Sequence, residues 1–286
     1  MQNKNTWTLL ACVALLAPLA GHAEPINPIK DFPTVGTTAK PGEFVLAPSY
    51  NWVEDMSKKG MDKVTFIFYN QKMDTPGEGW SKVAFSFTGV KEVPNYLVVP
   101  IAAGGKAKKG DVLLTWWQSG SGMKRAYVVD AKDPAEPVVR YLDISYDTPA
   151  KHKGVGIGQM EEKLKPNSFV KLSKPGEVGT VVACMSGTDY RRGQVISAAG
   201  NKLLTIEHAG RMAVYDKAKC QALDLVPKLK VGDKVQIPWV GKFINATVKK
   251  VDPAIGRVFA EYSIGSKTET DAVAYGDVAT KLVVSR

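Results

Sequence analysis

The chain has 286 residues, of which 44% are hydrophobic and 23% charged, and 38 Lys+Arg against 28 Asp+Glu give it a formal charge of +10. This leaves ample apolar material for a core, and no run beyond the first 23 residues is long and uncharged enough to span a bilayer. The basic surplus attracts anionic polymers or simply keeps the protein soluble, and its densest clusters, Lys106-Ala107-Lys108-Lys109 and Lys249-Lys250, are shorter than a polybasic tract.

In chain order, Lys4 opens a short polar start, an uncharged run follows from Trp7 to Leu19, and Gly21-His22-Ala23 precedes Glu24. Those are the three regions of a cleavable secretory signal, with cleavage expected after Ala23 and export to the periplasm or beyond. Leu9-Leu10-Ala11-Cys12 loosely matches a lipidation site, but the apolar stretch before Cys12 is too short and apolar sequence continues after it. Removing 23 residues from 286 leaves 263 and lowers the charge to +9. It also leaves Cys184 and Cys220 as the only thiols, which in an oxidising compartment predicts a disulfide.

Residues 24–39 read as an extended lead-in. Short β-branched and aromatic runs then dominate, separated by Gly, Pro, Asn and Asp, and they predict an all-β fold. In Val64-Thr65-Phe66-Ile67-Phe68 and Lys82-Val83-Ala84-Phe85-Ser86-Phe87 the large apolar residues fall mostly on one face. Helical turns are expected only near 51–59, 158–164 and 215–222. The expected division is a divergent β unit at 40–150, a Lys- and Gly-rich linker at 151–162, a disulfide-bearing unit at 163–225 and a last unit at 226–284.

Internal similarity carries the most information. Gly110-Asp111 leads to Trp117, Ala126-Tyr127-Val128, Asp133-Pro134-Ala135 and Tyr141; Gly232-Asp233 leads to Trp239, Ala246-Thr247-Val248, Asp252-Pro253-Ala254 and Tyr262. The stretch from Val178 to Leu225 fits the same outline with less identity. A weaker echo links Lys40-Pro41 through Val45 with Lys165-Pro166 through Val170.

This order of Gly-Asp, strand, Trp, Ala-x-Val, Asp-Pro turn and Tyr resembles the Tudor and agenet group of SH3-like β-barrels. The resemblance implies tandem small five-stranded barrels. It also implies aromatic cages for a cationic ligand, from Trp239, Phe243, Phe259 and Tyr262, and from Trp117, Tyr127 and Tyr141. The alternative for these aromatics is core packing, and export removes the chromatin ligands that such domains read.

No catalytic constellation stands out. Gly120-Ser121-Gly122 lacks the wider nucleophile elbow, and 154–158 is a glycine run in a linker. Glu207 and His208 are neighbours that point to opposite faces of a strand, so neither orients the other. His152 and His208 stand at no metal-ligand spacing from a cysteine, and no cofactor or metal is expected. Tyr190-Arg191-Arg192 is the most suggestive polar cluster, suited to gripping phosphate or carboxylate, with a solvated hairpin as its rival.

The expected function is a non-catalytic binding protein of the cell envelope. It would engage an anionic polymer or a partner protein through loop residues Trp117, Tyr141, Tyr190, Arg191, Arg192, Trp239 and Tyr262, with nucleic acid not expected. The rivals are a glycan hydrolase using carboxylates such as Asp189 or Glu261, and a self-assembling structural subunit.

Overall fold

The computed structural model describes residues 25–146 and 158–282. The expected signal peptide, His152 and the first part of the expected linker lie outside them. Among the described residues the chain is all β apart from one α-helix and a few short 3-10 turns, as the alternating apolar runs predict.

The strands fall into four successive groups with one order. The first contains β1 (Phe44–Pro48), β2 (Phe68–Thr75), β3 (Trp80–Phe85), β4 (Gly89–Pro94) and β5 (Val99–Ile101), paired as β4-β3-β2-β1-β5. The second, β6 (Val112–Trp116), β7 (Met123–Asp130), β8 (Val138–Tyr141), β9 (Glu161–Lys163) and β10 (Val170–Lys171), pairs as β10-β6-β7-β8-β9. The third comprises β11 (Val181–Ser186), β12 (Asp189–Ala199), β13 (Lys202–Ile206), β14 (Met212–Asp216) and β15 (Cys220–Ala222). The fourth comprises β16 (Lys234–Trp239), β17 (Lys242–Asp252), β18 (Arg257–Ile264) and β19 (Lys267–Ala274), with Ala279 bridging back to Gln236 in place of a fifth strand. In all four an antiparallel meander of four strands is closed by a last segment that returns to the first strand.

One backbone device opens every group. Gly42, Gly110, Gly179 and Gly232 have φ of 83°, 90°, 92° and 92°, a region that side chains avoid. Each donates its N–H to a residue on the second strand (Met73, Val128, Val195, Val248) at 2.7 to 2.9 Å. That residue donates back to the carbonyl just after the glycine at 2.9 to 3.0 Å. A β-bulge follows the same residue each time, between Met73/Thr75, Val128/Asp130, Val195/Ser197 and Val248/Lys250. The residue after the glycine also ties the turn with its side chain. Glu43 accepts from the Lys40 N–H, Asp111 from Lys108, Asp233 from Lys230, and Thr180 from Gly176, at 2.8 to 3.0 Å.

Strand pairing divides the chain differently from the expected units. Residues 40–150 contribute to two sheets, and Glu161–Lys163 and Val170–Lys171 complete the second of them, so the boundary expected at 162/163 falls inside a sheet. The segment 158–164, expected to be a helical turn, holds β9 instead, because its Glu161 and Glu162 pair with Arg140 and Val139. The Lys40 and Lys165 echo is not structural: the first leads into an opening strand and the second into a closing one. The helix expected near 51–59 is present as α1 (Tyr50–Lys59), which buries Val53 and Met56, carries Lys58 and Lys59 in its last turn, and ends at Gly60.

The groups are fused. Buried Leu46, Phe68, Leu114, Ile196, Val248 and Tyr275, drawn from all four, belong to one continuous core, with smaller cores inside individual groups. The third and fourth groups further join as one nine-stranded sheet, through Arg191 facing Lys242 and the Arg192 N–H donating to Gly241 O at 2.9 Å. A shared apolar core of this kind disfavours independent motion of the units.

Candidate functional site

Where the four groups meet, a cleft of about 920 Å³ opens. The first group supplies Phe66, Ile67 and Phe68, the second Lys124 and the stretch 142–146, the third Arg192 and 206–210, and the fourth 238–241, Arg257, Phe259 and Asp277. The segment leading into β2 is held against the third group by the Phe66 N–H, which donates to Gly210 O at 2.7 Å.

A buried ion quartet forms part of its wall. Arg125 on β7 is fully buried, and its Nη2 lies 2.6 Å from Asp143 Oδ1 and 3.0 Å from Asp277 Oδ2. Arg192 on β12 reaches the same two carboxylates at 3.1 Å and 3.0 Å. Burial alone would raise the Asp143 carboxyl, but the guanidiniums of Arg125 and Arg192 hold it well below the usual carboxylate range. Two positive and two negative charges from three groups thus neutralise one another. Such a quartet fixes how the groups sit more than it adds net stability, because desolvation offsets most of the Coulombic gain.

Arg257 on β18 is buried without a carboxylate partner. Its Nη2 donates to the carbonyls of Tyr141, Leu142 and Ile144 at 2.9 to 3.1 Å, its Nη1 to Ala272 O at 3.3 Å, and its Nε meets no acceptor among the described residues. Burial lowers its pKa to about 10 despite the nearby Asp277 and Asp143. Lys124 on β7 is half-buried in the cleft, and burial lowers its pKa as well. Among the described residues its amine donates only to the adjacent Met123 O, at 3.2 Å.

The lip of the cleft is apolar and locally strained. Ile67, Tyr146 and Val240 are 37%, 39% and 59% exposed and all line it. Val240 and Gly241 form the two-residue turn between β16 and β17 with φ of 47° and 79°, the geometry that Asn-Gly serves best. A β-branched valine at positive φ is unfavourable there. Ala209, another cleft residue, also has a positive φ, of 58°.

The residues singled out from sequence are scattered. Tyr141 is buried, donating from its hydroxyl to Glu162 and to Trp116 O, and its ring lies 6.3 Å from Trp117. Trp117 donates its indole N–H to Gln159 O at 2.7 Å. Tyr262 is buried and bonded to Glu269 and Asp271 at 3.1 and 3.0 Å. Tyr190 packs against the small core that contains Val181 and Phe243, while Arg191 faces Cys184 across β11 and β12. Trp239 is exposed at the hairpin beside the cleft. Of these, Arg192 is the one that lines the cleft.

The aromatic sets suggested as cages are not gathered into two clusters. Phe243 is buried in a core, Tyr127 packs edge-on to Tyr275, and Phe259 packs edge-on to Tyr146 with the Lys250 amine 5.1 Å from its ring. Asp189 and Glu261 are ion-paired with Lys242 and Lys249 at 2.6 and 2.7 Å on separate hairpins. Cys184 and Cys220 form the expected disulfide, directly opposite each other on β11 and β15.

Lys124, Asp143, Arg257 and Asp277 had no sequence signal. Each is a lone charge within or beside a strand, and only the fold converges them. No protein-family model matches the chain, and no curated protein sequence matches it.

Proposed function

We propose that this chain is an exported, non-catalytic binding protein of the cell envelope, built from four SH3-like units, that takes an anionic ligand of the envelope in the central cleft. The common strand order, in the first and third groups with a short 3-10 turn before the closing strand, supports the SH3-like reading. The signal-like N-terminus and the Cys184–Cys220 disulfide support export.

The observation that carries the binding reading is the convergence of all four units on one cleft whose lip bears exposed Ile67, Tyr146 and Val240. Its size suits a ligand site, and strained positions such as Val240 and Ala209 concentrate where function outweighs local stability. The site thereby moves from scattered loop residues to the junction, retaining Arg192.

The test is retention of the purified protein on its native envelope fraction, comparing the wild type with Thr270→Trp, which places bulk in the cleft from an exposed position on β19. Saturable retention that the variant loses is the expected result. Equal retention of both proteins, or none of either, contradicts the reading.

A further inference from the structure

Charges that line the cleft are mostly spoken for. Asp143 and Asp277 are engaged by Arg125 and Arg192. Glu207 accepts the Tyr215 hydroxyl, and Asp271, on the exposed rim, accepts that of Tyr262 at 3.0 Å. The donors are less fully used. Lys124 has one backbone acceptor and no carboxylate within ion-pair distance, so two of its three N–H groups have no protein partner among the described residues.

Arg192 bonds through Nε and Nη2 only, leaving Nη1 unpartnered among the described residues. Arg257 adds a buried guanidinium that hydrogen-bonds only to carbonyls and whose Nε has no acceptor among the described residues. His208, exposed on the rim, makes no hydrogen bond among the described residues. The exposed apolar side chains of Ile67, Tyr146 and Val240 line the same cleft, and Ile67 lies beside Lys124: a methyl on Gly122 would stand 2.8 Å from Ile67 Cγ2 and 3.5 Å from Lys124 Nζ.

Unused donors beside a half-desolvated wall are the arrangement in which a ligand's anionic group gains charge-assisted bonds that water serves less well. The apolar lip then covers the remainder of the ligand. We infer that Lys124 and Arg192 form an anion subsite that holds the carboxylate, sulfonate or phosphate of a small organic anion, whose apolar body lies against Ile67, Tyr146 and Val240. This assignment rests on the cleft being the ligand site and adds the chemistry of what enters it.

Burial, aided by the neighbouring Arg192, lowers the pKa of Lys124 in spite of the nearby Asp143 carboxylate, and an anionic group bound beside the amine would favour its charged form. Lys124→Gln keeps the length and polarity of the side chain but removes the charge, and Lys124→Arg restores the charge.

The test is fluorescence titration of the purified protein with two probes, 1-anilinonaphthalene-8-sulfonate and its uncharged analogue N-phenyl-1-naphthylamine. Expected are binding of both by the wild type, loss of both in Thr270→Trp, and at least a tenfold weakening of the sulfonate alone in Lys124→Gln, reversed in Lys124→Arg. Sulfonate binding that Lys124→Gln leaves unchanged, with both probes still blocked by Thr270→Trp, overturns the anion subsite but leaves the cleft as a binding site. Equal weakening of both probes by Lys124→Gln overturns it too. Wild-type protein that binds neither probe, or probes that Thr270→Trp does not displace, overturn both the subsite and the cleft reading.

Discussion

Arg125 illustrates what a single side chain does at the junction. It is fully buried and its two carboxylates nearly so, so deleting one of them leaves the quartet with a buried positive charge in excess. Asp143→Asn is expected to lower the unfolding free energy by about 3 kcal/mol, seen as a reduced urea midpoint. The pH dependence has a definite sign. A carboxyl held below its unfolded value contributes stability above that value and loses it as pH falls, so the contribution of Asp143 should fade as pH drops below about 4. The midpoint difference between wild type and Asp143→Asn should narrow over that range. A difference that stays constant down to pH 2 would contradict the ion-pair account.

Val240 predicts the opposite effect. Val240→Gly should raise stability by about 1 kcal/mol, because the turn geometry favours residues that tolerate positive φ. The sequence disclosed Arg192 as part of a polar cluster, but not its role. Its partners Asp143 and Asp277 lie 49 and 85 residues away, beyond any spacing argument.

At the scale of elements, the repeated Gly turn explains why two copies stood out, a third was faint and the first went unseen. The second and fourth units share Lys-x-Gly-Asp spacing and an Asp-Pro turn, so the same side chains mark the same bonds. In the first and third units Glu43 and Thr180 take the place of the aspartate, while the backbone bonds stay the same. Hydrogen bonds between main-chain atoms leave no signature in residue identity beyond the glycine. Gly232→Ala should cost about 1 to 2 kcal/mol from backbone strain alone, since no atom lies within 4 Å of the added methyl. Gly179→Ala should cost more, because its methyl would fall 2.7 Å from Leu114 Cδ2 in the second unit. Equal thermal shifts for the two variants would contradict that distinction.

For the whole molecule, the all-β class followed from alternating apolar runs and the disulfide from cysteine arithmetic, whereas the fused core did not. Period-2 patterns show that a face is buried, not which unit buries it. The disulfide closes a separation of 36 residues within the third unit, so reduction or Cys220→Ser should cost about 3 kcal/mol. With the shared core, that loss should appear as one shifted unfolding transition rather than as the separate melting of one unit. Export is tested by the N-terminus of the protein recovered from the envelope, which should begin at Glu24; a form that retains residues 1–23 inside the cell would contradict it.

The claim at the centre is that the four units are joined to build one ligand cleft. Hydrogen exchange of the protein with and without an extract of its native envelope tests it most directly. Protection gained at 66–68, 206–210 and 238–241 together is the predicted result, and protection confined to other surfaces, or none at all, would contradict it.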